Sequence, residues 1–269
     1  MLLPRVLTGL VGIPAVAFLI HLGSLPYTAF VFVIIALALY EYYLLMKMGG
    51  KPVQGPVLFA LGLLLPAAMC LDHSPSAQPG GDNFAGSVLT LVVIVPLVYE
   101  MFSGKKYLER IGFTLLGLFM VSWCLFHLIA LRDIRPDGEA LTFMLIVTVW
   151  VMDTVAYACG RGFGKRQLST ISPKKTWEGA IAGFVSAVLM TFLFRSFMKE
   201  TVTPAYALAA GTIIGVFGQL SDIAESMLKR AAGAKDSSNL LPGHGGILDR
   251  FDSYIFLAPM VYYLTVYFR

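Results

Sequence analysis

Nine apolar runs follow one another along this chain, and each is close to the length that a helix needs to cross a bilayer. A spanning helix takes about 20 predominantly apolar residues because the hydrocarbon core is about 30 Å thick. Because every backbone polar group in lipid must be satisfied within its own segment, the runs predict an all-α, polytopic integral membrane protein with about nine transmembrane helices. The runs cover residues 6–21, 26–46, 56–71, 85–102, 111–131, 141–159, 179–198, 205–224 and 251–268.

The composition supports this class and narrows the choice of partners. Hydrophobic residues make up 57% of the 269 residues and charged residues only 13%, whereas a soluble domain carries about 25% charged residues. The net charge of +4 is spread thinly along the chain, which argues against a nucleic acid as a partner. Cys70, Cys124 and Cys159 lie in or beside apolar runs without CxxC spacing, so we expect neither a disulfide nor a zinc site.

The distribution of Lys and Arg predicts the orientation in the membrane. With the N-terminus in the cytoplasm, fifteen of the twenty Lys and Arg residues fall on the cytoplasmic side, where such residues concentrate in membrane proteins. The C-terminus is then external. The first run has no small-residue cleavage site after it, so we expect an uncleaved helix. We expect one membrane domain over residues 1–269, with N-terminal helices in 1–135 and the site in the helices of 136–269.

Residues 219–252 break the apolar pattern with a dense group of polar side chains. Asp222, Ser226, Lys229 and Arg230 recur at spacings of three and four, which places them along one broad face of a helix. A carboxylate at the end of an apolar helix is costly unless it faces a cation. Asp222 is therefore a candidate functional residue, while Lys229 and Arg230 are also explained as anchors at the membrane surface.

A glycine-rich loop over residues 233–246 follows this helix. It closes with Pro-Gly-His-Gly-Gly at 242–246, and glycines let a backbone approach an anion and offer its N–H groups. The loop contains neither a Walker motif nor a GxGxxG motif. It is therefore a candidate phosphate cradle, and an ordinary turn explains it equally well.

Two acids mark the start of the last apolar run. Asp249 and Asp252 are three residues apart, on one face of a first helical turn. An acid at a helix N-terminus suits its dipole and caps it, which accounts for one of the two. Together with Asp222 they form a candidate set of oxygen ligands for Mg²⁺.

The loop at residues 160–178 is expected on the same side of the membrane. It contains Ser-Pro-Lys-Lys-Thr-Trp-Glu-Gly at 172–179, in which Lys174 and Lys175 are suited to neutralise phosphate. Asp153 lies upstream, inside the sixth apolar run. An ionisable residue there indicates function, with a helix–helix hydrogen bond as the alternative.

These residues resemble a known family. Residues 226–252 read S-x-x-K-R, four residues, then K-D-x-S-x-x-L-P-x-H-G-G-x-x-D-R-x-D, which resembles the full signature of the phosphatidate cytidylyltransferase (CDP-diacylglycerol synthase) family. Residues 172–179 and the Asp153-Thr154 segment resemble its second region. The likeness covers the C-terminal half, since the first five helices match only in arrangement. Ser221 stands where the family commonly has glycine.

The resemblance implies transfer of a cytidylyl group from CTP to phosphatidic acid, giving CDP-diacylglycerol and pyrophosphate with Mg²⁺ as cofactor. It implies that Asp222 and Asp249 hold the metal, with Asp252 and Asp153 as further candidates, and leaves a second cation and a homodimer open. The implied location is a bacterial inner membrane, with the site facing the cytoplasm. The implied catalytic residues are Asp222, Asp249, Lys229, Arg230, Lys235 and Asp236. The implied substrate-binding residues are Lys174, Lys175, Ser226, His244, Gly245, Gly246 and Arg250.

Three alternatives stay open at this point. Asp153 and Asp222 within helices are also compatible with a proton- or cation-coupled transporter, which predicts inverted repeats and interrupted helices. The chain shows no such repeat and gathers its charges at one face. A CDP-alcohol phosphotransferase uses several Asp at short fixed spacings, which this chain lacks. A dolichol-kinase-like, CTP-dependent enzyme is the nearer alternative.

Overall fold

The fold consists of helices joined by short loops. A computed structural model describes residues 3–73, 83–104, 108–198, 202–238 and 245–268, with side chains from residue 10 onward. The helices are α1 (Leu3–Leu22), α2 (Ser24–Met48), α3 (Gly55–Asp72), α4 (Phe84–Phe102), α5 (Leu108–Gly117), α6 (Cys124–Arg132), α7 (Gly138–Phe163), α8 (Trp177–Phe197), α9 (Pro204–Ala231) and α10 (Leu248–Tyr267).

One of the predicted runs is a helix with an irregular centre. A π-helical segment, Leu118–Trp123, joins α5 to α6 without a break, so one helical rod extends from Leu108 to Arg132. The described residues therefore form nine rods, one for each predicted run. The hydropathy pattern did not predict the π-helical segment, because a π-turn changes the hydrogen-bond register and leaves the apolar character of the run unchanged.

Seven of these rods are long and apolar enough to cross a membrane. In α1, the apolar part with described side chains is limited to Leu10–Leu22. The last helix, α10, is not among the seven, and its first turns carry Asp249, Arg250 and Asp252. The predicted fold class, an all-α polytopic membrane protein, is confirmed, while the orientation of the termini stays a prediction.

The centre of the bundle is formed largely by α2. Val31, Ile35, Ala38, Leu39 and Tyr42 on this helix are fully buried. They pack against buried side chains of the other helices, such as Leu58, Leu118, Leu125 and Leu145. Since lipid tails are as apolar as leucine, close packing rather than escape from water holds such helices together. As a result, α2 is a fixed support for elements that contact it.

The helices α7, α8 and α9 approach each other closely at glycines. A Cβ at Gly179 would lie 2.6 Å from the carbonyl oxygen of Ala156, and one at Gly211 would lie 2.7 Å from the Cα of Val188. Small residues at crossings let helix backbones pack tightly in membranes. This packing fixes the positions of α7 and α9, which carry Asp153 and Asp222.

Local sequence sets where the helices around the site begin. Thr176 caps α8 by accepting a hydrogen bond from the Gly179 N–H, 3.2 Å away. Thr203 caps α9 by accepting one from the Tyr206 N–H, 3.1 Å away, and Pro204 occupies the first turn. Both arrangements satisfy backbone donors that a helix N-terminus leaves unpaired.

Candidate active site

A cavity of about 730 Å³ lies between α7, α8, α9 and the start of α10. We call it the polar cavity, because four acidic and four basic side chains line it. Their charges balance, so the cavity binds anions well only if further cations join them. The charged lining residues are Asp153, Asp222, Asp249, Asp252, Arg161, Lys174, Lys175 and Arg250.

Asp222 pairs with Lys175 across the polar cavity. The Lys175 ammonium lies 2.5 Å from Asp222 Oδ2 and 3.2 Å from the carbonyl oxygen of Gln219. Lys175 lies just before α8, and Asp222 lies in the C-terminal half of α9. The structure therefore brings the predicted polar loop at 160–178 to the same cavity as the C-terminal half of α9 and the start of α10, as the lining by Lys174, Lys175, Asp222 and Asp249 shows.

Asp222 also contacts the start of α10. Its carboxyl group lies next to that of Asp252, and Ser253 Oγ donates to Asp222 Oδ1 over 3.3 Å. Ser221 Oγ donates to the carbonyl oxygen of Asp252 over 2.5 Å. Ser221 therefore joins α9 to α10, a contact that a glycine at this position could not make.

Asp249 is held by a second set of partners. Lys229 Nζ lies 2.5 Å from Asp249 Oδ1 and 2.5 Å from Glu225 Oε2. The backbone N–H groups of Ser237 and Gly246 donate to Asp249 Oδ2 over 2.9 and 2.8 Å. These bonds fix the carboxylate at the entrance to α10. Asp222 and Asp249 line the same cavity, but each is held by a different lysine.

Asp153 lies between the polar cavity and a second one. The second cavity has a volume of about 740 Å³, and Asp153, Trp150, Arg250 and Tyr254 line both. We call it the apolar cavity, because its other lining residues are mostly non-polar. They include Ile13, Val16, Phe30, Val31, Ile34, Leu128 and Phe251.

Several predicted site residues lie away from the polar cavity. The side chains of Ser226, Arg230, Lys235 and Asp236 are described and do not line it. Arg230 donates to the carbonyl oxygen of Ala234 over 3.2 Å, and Lys235 and Asp236 are exposed. Gly245 and Gly246 lie beside Asp249, whereas His244 lies outside the described residues.

Other residues reach the site without having been predicted there. Arg161 and Gln219 line the polar cavity, and Glu225 contacts Lys229. Glu41 in α2 contacts the loop that carries Ser237. Its signal was present in the sequence, as an acid inside a long apolar run, which is also the signal that marked Asp153.

The oxygen donors of the polar cavity fit a magnesium ion. The ammonium groups of Lys175 and Lys229 form ion pairs with Asp222 and Asp249, respectively. The neighbouring carboxyl groups of Asp222 and Asp252 need a proton or a cation between them. Among the described residues, no group of three or more His, Cys, Asp or Glu has the geometry of a metal site. Mg²⁺ fits such a place because it needs only one or two carboxylates beside water and phosphate.

A family model and two of the relatives below match nearly the whole chain. A family model described as "Cytidylyltransferase family" matches residues 3–268. The chain is 34% identical to a phosphatidate cytidylyltransferase of Bacillus subtilis (strain 168), over 98% of this chain and 97% of the relative. It is 30% identical to one of Synechocystis sp., over 97% and 96%, and 48% identical to phosphatidate cytidylyltransferase 5, chloroplastic, of Arabidopsis thaliana, over 41% and 28%. These matches confirm the resemblance seen in the sequence, and the chain belongs to the cytidylyltransferase family.

Proposed function

We propose that this protein transfers the cytidylyl group of CTP to phosphatidic acid and so makes CDP-diacylglycerol for phospholipid biosynthesis. The observation that carries the proposal is the polar cavity, in which Lys174, Lys175, Arg161 and Arg250 meet four carboxylates. The relatives that match along the full length are named phosphatidate cytidylyltransferases, which agrees with this chemistry.

The reaction needs positioning and charge neutralisation more than proton transfer. An oxygen of the phosphatidate phosphate attacks the α-phosphorus of CTP, the bond from that phosphorus to the bridging oxygen breaks, and pyrophosphate leaves with the electron pair. Because the nucleophile is already an anion, holding the two phosphates in line supplies most of the catalysis. Lys174, Lys175, Arg161 and Arg250 offset the negative charges brought together.

Mg²⁺ fits this proposal as the cofactor. Asp222 and Asp249 would hold it, with Asp252 and Asp153 as further candidates from the same cavity lining. A bound magnesium ion neutralises phosphate oxygens and favours the departure of pyrophosphate. Lys175 lines the polar cavity and pairs with Asp222 in the structure, so it is placed to shift from carboxylate to phosphate when substrate binds.

The position of the site suits a lipid substrate. The apolar cavity shares four lining residues with the polar cavity, so non-polar surface lies directly beside the ionic groups. A molecule with a phosphate head and acyl chains needs that combination. We place the protein in a bacterial inner membrane with the polar cavity toward the cytoplasm, where the excess of Lys and Arg is expected.

Labelled CTP tests the reaction directly. The purified protein in detergent is given phosphatidic acid, Mg²⁺ and CTP labelled at either the α- or the γ-phosphate. We expect α-label to enter the lipid fraction and γ-label to leave as pyrophosphate. Lipid carrying the γ-label would instead indicate a kinase of the dolichol-kinase type. No lipid-soluble label, together with ion flux in liposomes, would indicate a transporter.

Removing one carboxylate charge tests the metal assignment. Asp222→Asn and Asp249→Asn each remove a proposed ligand, so we expect the turnover of CTP to fall by more than about 100-fold. That loss is larger than the one expected for replacing a residue that only contacts a metal ligand. Asp133→Asn, in the exposed loop between α6 and α7, is the matched control and should keep full activity. Full activity in both purified site variants would show that the assignment is wrong.

A further inference from the structure

Glu41 is a buried acid outside the polar cavity that the proposed chemistry does not use. It lies in α2, among the apolar residues of the bundle core, and is only 1% exposed. A carboxylate in such surroundings is costly unless hydrogen bonds compensate it. Its partners therefore indicate why it is there.

Both carboxylate oxygens of Glu41 accept hydrogen bonds from the segment between α9 and α10. The hydroxyl groups of Ser237 and Ser238 lie 2.8 Å from Oε2 and 2.6 Å from Oε1, respectively. The backbone N–H groups of Ile247 and Leu248 donate to Oε1 and Oε2 over 2.9 and 2.8 Å. All four partners are neutral, and all lie about 200 residues further along the chain than Glu41.

Two of these bonds complete the start of α10. The helix begins at Leu248, and Ile247 at its N-cap position makes no side-chain cap hydrogen bond. The first N–H groups of a helix have no partner within it and favour a negative charge nearby. Glu41 supplies both the hydrogen-bond acceptors and the negative charge from a different helix, so α2 caps the start of α10.

The same carboxylate is connected to Asp249 through Ser237. Ser237 Oγ lies 2.8 Å from Glu41 Oε2 and 2.9 Å from Asp249 Oδ2, and the Ser237 N–H donates to the same Asp249 oxygen. Gly246 completes the group, since a Cβ on it would contact both Ser237 Oγ and Glu41 Oε2. Glu41, Ser237 and Gly246 thus form a packed support behind Asp249.

We propose that Glu41 is a positioning residue that holds Asp249, through Ser237 and the first turn of α10, in the geometry needed to bind the catalytic cation. The proposal rests on the function proposed above, because it assigns Asp249 to that cation. It places one determinant of the active site in α2, within the half of the chain that lies outside the family signature.

Glutamine at position 41 would break the support behind Asp249 while keeping the shape of the side chain. Glu41→Gln leaves one acceptor oxygen and places an NH₂ donor where the other oxygen was. The serine hydroxyl at that position can turn and accept, but a backbone N–H cannot. Either Ile247 or Leu248 therefore loses its acceptor, and the turn that carries Asp249 loosens.

The experiment compares Glu41→Gln and Glu41→Asp with a matched control, Glu100→Gln. Glu100 in α4 is also a buried acid, 5% exposed, and its partners include Gln54, Ser103 and Arg110, which lie outside the segment between α9 and α10. Two quantities are measured for each purified protein. They are amide hydrogen exchange over residues 245–250 in metal-free buffer, and the Mg²⁺ concentration that gives half-maximal turnover of CTP.

For Glu41→Gln we expect amide hydrogen exchange over residues 245–250 to be at least about tenfold faster. We expect the half-saturating Mg²⁺ concentration to rise about 10- to 100-fold, the range for replacing a residue that hydrogen-bonds a metal ligand. Glu41→Asp keeps both oxygens and should give intermediate values. Glu100→Gln should match the unmodified protein in both. An unchanged Mg²⁺ requirement in folded Glu41→Gln would overturn the proposal.

Two further outcomes are distinguishable. If Glu41→Gln does not fold, Glu41→Asp and Ser237→Ala carry the test, and an unchanged Mg²⁺ requirement in both overturns the proposal. If the unmodified protein makes no CDP-diacylglycerol, the proposed function fails, and with it the catalytic part of this inference. The exchange measurement then still reports whether Glu41 holds the first turn of α10.

Discussion

At Gly246 there is no room for a side chain, because Glu41, Ser237 and Asp249 converge on it. Gly246→Ala would push its Cβ against Ser237 Oγ and the Glu41 carboxylate, displacing the groups behind Asp249. Since a shift of about 1 Å at a catalytic group costs about 100-fold in rate, we expect a loss of that size in CTP turnover. Gly112→Ala is the control, because nothing lies within 4 Å of a Cβ there. Equal turnover in the two variants would show that this packing is not needed.

Single site residues were predictable where charged side chains occur in or beside apolar segments. Asp222 stood out in the sequence because a carboxylate at the end of an apolar helix is costly without a cation. Asp249 stood out through its spacing from Asp252, and Lys175 as a loop cation suited to phosphate. All three line the polar cavity. The pairing of Lys175 with Asp222 was not predictable, since Lys175 lies before α8, Asp222 lies in α9 and no local pattern relates them. Glu41 carried the same signal as Asp153 but lies far from the polar stretch in sequence, so only the folded contacts reveal its connection.

Elements were predicted well in number, and hydropathy alone underestimates the extent of α9. The eighth apolar run ends at residue 224, but the spacing of Asp222, Ser226, Lys229 and Arg230 predicts a helix beyond it, and α9 extends to Ala231. Hydropathy measures how far a helix is apolar, but the backbone hydrogen bonds continue for as long as the chain stays helical. That polar extension brings Lys229, with Glu225 beside it, to Asp249.

The close crossing of α8 and α9 gives a stability prediction at the level of elements. In Gly211→Ala the new Cβ would lie 2.6 Å from Thr191 Oγ1 and 2.7 Å from the Cα of Val188. Overpacking of this kind costs about 1–3 kcal/mol, which exceeds the gain of about 1 kcal/mol from replacing glycine in a helix. We expect a lower midpoint of thermal unfolding in detergent. Gly112→Ala, with the same helix gain and open space, should raise it, and a rise in both would contradict the close crossing.

For the whole molecule, the contacts of Glu41 connect the two halves of the chain. The expected division at residues 135 and 136 separates helices with generic apolar sequence from those with the signature, and it stays a prediction. Glu41 in the first half nevertheless holds Ser237, Ser238 and the start of α10 in the second. Hydropathy cannot report such a link, because it reads each segment separately. The N-terminal helices therefore contact the segment that carries Asp249, through Glu41.

Orientation is the property of the whole molecule on which the cytoplasmic placement of the polar cavity depends. In a background in which Cys70, Cys124 and Cys159 are serine, Arg135→Cys and Thr170→Cys place single thiols at exposed positions on either side of α7. The predicted spans place fifteen of the twenty Lys and Arg residues on one side, so the positive-inside rule predicts position 170 in the cytoplasm and position 135 outside.

A membrane-impermeant maleimide should therefore label position 135 in spheroplasts and position 170 only in inverted vesicles. The reverse pattern would turn the polar cavity outward, away from cytoplasmic CTP, and would overturn the orientation together with the placement of the site. Labelling of both positions from one side would mean that the 26 residues of α7 do not cross the membrane. Asp153 would then lie at the surface rather than within a span. Its charge would cost little there, so its position would no longer indicate a functional role.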